Sequence, residues 1–149
     1  MRKPYTSVPV DSSEPETGGK NHSWVPMLNI KVLFNHQMTP FWIPAIVDSG
    51  SSHCLFKQEI AQYLHIDLST AVRGDMAGII PGVLEPVFYR KVRIIVEGNW
   101  TVDITAGFMK KLSTAAILGR NGFFDAFRVT FDHSTSPFSI DIDRILPVQ

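Results

Sequence analysis

Residues 46–52 read Ile46-Val47-Asp48-Ser49-Gly50-Ser51-Ser52. Two β-branched residues predict the end of a strand, and the small, hydroxyl-bearing run after Asp48 predicts a loop. A carboxylate at that junction is held by a buried strand and partly desolvated, the environment that acid–base chemistry requires. The Ser49 hydroxyl is free to bond to a neighbouring loop, and Gly50 leaves no side chain in the way of a ligand or a second backbone. An Asp-Ser-Gly tripeptide also arises by chance. Its weight comes from a second element further along, Ala116-Ile117-Leu118-Gly119-Arg120-Asn121, in which an apolar strand again runs into a glycine.

Working outward, residues 1–23 are rich in Pro, Ser, Glu and Gly with little apolar periodicity, which predicts a flexible N-terminal arm. From Trp24 the pattern changes, so residues 24–149 are expected to form the folded domain. Val25–Phe34 and Phe41–Val47 are apolar runs separated by a turn composition, a predicted hairpin. Lys57–Leu64 carries Ile60, Ala61 and Leu64 at helical spacing. Val72–Val83 holds Gly74, Gly78 and Gly82 around Ile79-Ile80-Pro81, predicting a mobile hairpin tip rather than a packed strand. Val87–Glu97 and Trp100–Phe108 alternate and meet at Gly98-Asn99, a second hairpin. Ala115–Leu118 predicts a short strand, Arg120–Phe127 a helix, and Arg128–Asp132 and Phe138–Ile142 closing strands. The sum is an all-β, barrel-like domain with one or two short helices.

Composition narrows the function classes. The 149 residues carry 14 basic and 14 acidic side chains with the basic ones scattered, so neither nucleic acid nor an anionic membrane is an expected partner. Cys54 is the single cysteine, which excludes an internal disulfide and predicts a buried apolar thiol. The five histidines show no metal-ligand spacing, and neither a metal nor a cofactor is expected. No Gly-x-Ser-x-Gly surrounds Ser49, Ser51 or Ser52, against a serine hydrolase. The opening Met1-Arg2-Lys3-Pro4-Tyr5 lacks the apolar run of a signal peptide and no segment approaches membrane-spanning length, so a cytoplasmic location is expected.

The order of these motifs, strand–Asp48-Ser49-Gly50–loop, glycine-rich hairpin, then Ile117-Leu118-Gly119-Arg120-Asn121 leading into a helix, resembles the single-lobe retropepsin-like aspartic proteases over about residues 27–142. The cellular and bacterial members are the more similar, because a short helix follows the Asp loop. The resemblance implies a closed β-barrel-type lobe acting as a symmetric homodimer, with Asp48 from each chain as the catalytic dyad. The sequence requires a second copy independently, since the Asp-Ser-Gly motif occurs once and the chemistry needs two carboxylates sharing one proton. By resemblance, Ser49, Gly50 and Ser51 form the active-site loop, Gly78, Ile79, Ile80, Pro81 and Gly82 the flap, and Val47, Val83 and Ile117 the substrate pocket. Gly119, Arg120 and Asn121 support the site. The implied activity is endopeptidase cleavage between bulky apolar residues of a peptide or protein substrate. The alternative is a catalytically weak dimerisation or peptide-binding module on the same fold. Two departures bear on this: Pro81 stands where glycine is usual in the flap. Ser52 stands where many viral members carry the acid that pairs with the arginine matching Arg120, leaving Asp125 or a carbonyl as its expected partner.

Overall fold

The computed structural model describes residues 1–9, 22–77 and 84–145. The main sheet is built from β4 (Met27–Phe34), β5 (Gln37–Met38), β6 (Ile43–Val47), β7 (Cys54–Lys57), β8 (Val72–Ala77), β9 (Leu84–Val96), β10 (Trp100–Met109) and β11 (Ala116–Leu118). Its order is β5-β4-β6-β11-β7-β10-β9-β8, and β4 also pairs with β9. That extra pairing, Ile30 opposite Val96 and Val32 opposite Ile94, closes six strands into a barrel. Alternation along β4 sends Leu28, Ile30 and Val32 inward, where they meet Ile94, Val96, Phe56 and Phe108 in one core. The Phe56 and Phe108 rings meet edge to face at 5.7 Å.

The expected hairpins form. β9 and β10 pair antiparallel through the turn Gly98-Asn99, where both residues have positive φ (94° and 67°). Such turns match the right-handed twist of the flanking strands, which is why glycine and asparagine stand there. The first helix, α1 (Gln58–Tyr63), buries Ile60 and Ala61. The second, α2 (Phe123–Ala126), is only four residues long. The expected helix over Arg120–Phe127 is thus shortened: Arg120 and Asn121 are not helical, because their amides bond to Ser51 and Ser52 carbonyls instead. Gly74 does not lie in a hairpin tip: β8 is a strand that pairs with β9 over Val72–Ala77. The predicted tip itself, Gly78 to Val83, lies outside the described residues.

The N-terminal arm reading fails for residues 1–9. β1 (Arg2–Pro4) pairs with β13 (Ser139–Arg144), which pairs with β12 (Phe127–Asp132), giving a three-stranded sheet of order β1-β13-β12. β2 (Thr6–Pro9) pairs with β3 (His22–Val25). Tyr5 between them is buried in the core, with its amide on Phe138 O at 2.8 Å and its hydroxyl 2.8 Å from His133 Nε2. Polar composition did not reveal this, because a strand added at a sheet edge is held by backbone hydrogen bonds that any residue can make. A chain lacking residues 1–9 is therefore expected to lose about 3–5 kcal/mol, the scale of removing one buried aromatic. Urea unfolding of the two chains measures it, and equal midpoints would overturn the assignment.

Candidate active site

The site starts from a crossing in the sheet. β11 lies between β6 and β7, parallel to β6 (Leu118 opposite Val47) and antiparallel to β7 (Ile117 opposite Leu55). The segment from Asp48 to His53, which joins β6 to β7, must therefore pass over the end of β11. Asp48 sits at the start of this crossing, its amide donating to Leu118 O at 3.0 Å. The residue is half-buried, and its carboxylate Oδ1 accepts the Gly50 N–H at 2.8 Å, which fixes the side chain over the loop. The Ser51 amide closes the turn onto Asp48 O at 3.2 Å. Ser49 and Gly50 are exposed, and the Ser51 hydroxyl donates inward to His53 O at 2.8 Å.

Gly119 follows β11 directly beneath the crossing. A Cβ there would lie 2.6 Å from the His53 carbonyl carbon and 2.8 Å from Ser51 O, so no other residue fits. Arg120 and Asn121 then tie the crossing down: their amides donate to Ser51 O and Ser52 O, both at 2.9 Å. The Arg120 guanidinium donates to Ser49 O at 3.1 Å and to the Ser52 hydroxyl at 3.0 Å. Its partner is thus a carbonyl and the serine that replaces the viral acid, while the Asp125 carboxylate accepts the Gly122 amide at 2.8 Å. Cys54 is fully buried under the loop, and that burial pushes its thiol pKa up, the state of an inert apolar thiol rather than a nucleophile. Among the described residues no cluster of metal-ligating side chains occurs and no helix is long and apolar enough to cross a membrane.

No family model and no curated protein matches this chain. Among solved structures it is similar to a retropepsin-like aspartic protease from Rickettsia conorii, at a TM-score of 0.53 and 18% identity, covering 78% of this chain and 82% of that one. The fold is retropepsin-like. A weaker likeness, at a TM-score of 0.42 and 16% identity over 64% of this chain and 73% of the other, is to the retroviral protease-like domain of Ddi1 from Leishmania major.

On this retropepsin-like lobe the expected loop residues Asp48, Ser49, Gly50 and Ser51 and the supporting residues Gly119, Arg120 and Asn121 come together. Val47 does not join them as a pocket wall. It is 2% exposed and shares the inward face of β6 with Ile43 and Ala45, because strand parity turns alternate residues to opposite faces. Ile117, one residue out of phase with buried Ala116 and Leu118, points the other way. It joins a small cluster outside the barrel in which Leu55, Val87 and Met109 are buried and Met76, Tyr89 and Leu112 pack on them. The sequence reading missed these six. The partial signal in the sequence was the unbroken apolar run Cys54-Leu55-Phe56, which fits a strand covered on both faces, as β7 is. Val83 and the flap residues Gly78 to Gly82 lie outside the described residues.

Proposed function

We propose that the chain is a homodimeric aspartic endopeptidase whose dyad is Asp48 from each of two copies. The observation that carries this reading is the Asp48 carboxylate, held by the Gly50 amide on a crossing that Gly119 and Arg120 brace from below. A rigidly held carboxylate with one oxygen already bonded to an amide keeps its other oxygen for water or for its twin. In the dyad one carboxylate is ionised and takes a proton from the bound water as that water attacks the scissile carbonyl carbon. The other is protonated and donates to the carbonyl oxygen, giving a tetrahedral diol. Collapse of the diol breaks the C–N bond, with a proton delivered to the leaving nitrogen. By the family resemblance the flap is Gly78 to Gly82, a segment that would exclude water from the dyad.

The apolar cluster around Ile117 supports substrates with bulky apolar residues. Two-fold symmetry would put one such cluster on each side of the cut. The edge of β12 supports the dimer: among the described residues no strand pairs with it on the side away from β13. An antiparallel second copy centred on Thr130 would set Arg128 opposite Asp132 of that copy, and Val129 opposite Phe131.

A library of mixed peptides, read by mass spectrometry, is expected to yield cuts between apolar residues. The rate per chain should fall on dilution in step with the dimer fraction measured by sedimentation. Turnover by a demonstrably monomeric chain would sink the shared dyad.

A further inference from the structure

Beside the Ile117 cluster, and sharing Tyr89 with it, runs an open groove of about 960 Å³. Its inner wall is His53 and Asn121, bridged to each other where the Asp48 loop ends. Val72, at the start of β8, also lines it. The groove thus begins where the Asp48 loop ends and reaches β8.

The floor is built for it. Tyr89 stands opposite Val72 on β8 and Gly107 on β10, and its ring lies within 3.0 Å of where a Cβ on Gly74 or on Gly107 would sit. Two glycines on flanking strands therefore clear a slot in which the ring lies on the sheet, with the His53 ring 5.2 Å away. Past Tyr89 the groove turns basic. Arg90 and Lys91 line it, and Asp125 is its one carboxylate, with an oxygen on the Gly122 amide. Arg90 is committed, its guanidinium donating twice to Asp67 O and once to the Thr70 hydroxyl. Lys91 is exposed and makes no ion pair among the described residues.

We propose that this groove takes the distal residues of the extended peptide substrate and that Lys91, with Arg90 behind it, selects an acidic side chain there. The substrate class is then a peptide with an apolar cleavage core and a Glu or Asp set several residues away. This rests on the endopeptidase reading for its substrate and on charge complementarity for its selectivity.

The test uses matched peptides with one apolar core and Glu, Gln or Lys at each distal position in turn. The full chain is expected to favour Glu over Lys by about three- to tenfold in kcat/KM at one position, the scale of an exposed charge pair. Lys91→Glu should invert the preference and Lys91→Gln should reduce it. Affinity of the same peptides for Asp48→Asn, followed by fluorescence anisotropy, should show the same order without turnover. Cleavage with no preference at any position, or a preference that Lys91→Glu leaves unmoved, would overturn the groove assignment and leave the endopeptidase reading standing. Preferential binding of the Glu peptides with no cleavage by the native chain would do the reverse, and neither binding nor cleavage would overturn both.

Discussion

Asp48→Asn is expected to lower peptide cleavage at least about a thousandfold, close to the loss of all chemistry, while the lobe stays folded. The two halves of that expectation have separate causes. An amide cannot act as the general base or hold the shared proton, so the dyad loses both of its protonation states at once. Structurally the change is mild, because the Asn side-chain oxygen can still accept the Gly50 amide that Asp48 Oδ1 accepts at 2.8 Å. The melting temperature should therefore shift by no more than a few degrees, and the sedimentation behaviour should be unchanged. Cleavage that survives in the purified variant, with the same cut sites, would remove Asp48 from the chemistry.

Gly119→Ala is expected to be the most damaging single-methyl change in the described lobe. The added carbon would collide with the Ser51 and His53 carbonyl groups, both part of the crossing that carries Asp48. These are main-chain atoms, and Ser51 O also accepts the Arg120 amide at 2.9 Å, so neither can swing aside as a side-chain tip would. Relief requires moving the loop off β11, which breaks the Arg120 and Asn121 amide bonds together. A cost above about 4 kcal/mol follows, against a total stability of about 5–15 kcal/mol for a domain. That corresponds to a drop in melting temperature of about 8–16 °C or outright failure to fold. Gly98→Ala makes the comparison: that site has the positive φ that Gly119 lacks, yet its new Cβ would touch only Met1 Sδ at 3.4 Å, so about 1 kcal/mol is expected. Thermal melts of the two variants decide the matter, and Gly119→Ala melting as high as Gly98→Ala would refute the packing argument.

Both residues were legible in the sequence, for different reasons. Asp48 announces itself through local chemistry, a carboxylate between a β-branched run and a small-residue loop. Gly119 was legible only as the partner of that motif, and its purpose, clearance under a crossing chain, is a property of β11 lying between β6 and β7. The β9–β10 hairpin was readable for the same local reason as Asp48, since Gly98 and Asn99 are the residues that accept the positive φ its turn demands. The second helix was overread. The residues after Gly119 have helical spacing, but Arg120 and Asn121 find carbonyl partners on the crossing before a helix can start.

What the sequence determined by itself is therefore whatever depends on neighbours in the chain: strand periodicity, turn chemistry and the Asp48 loop. Tertiary structure alone decided which face each strand buries. It sent Val47 into the barrel and Ile117 outward, gathered Leu55, Met76 and Val87 beside Ile117, and drew residues 1–9 into the fold. The physical reason is that strand parity and edge pairing carry no local signature. A one-residue change of phase exchanges the two faces, and a backbone edge accepts polar and apolar segments alike, so both are settled only when distant strands meet.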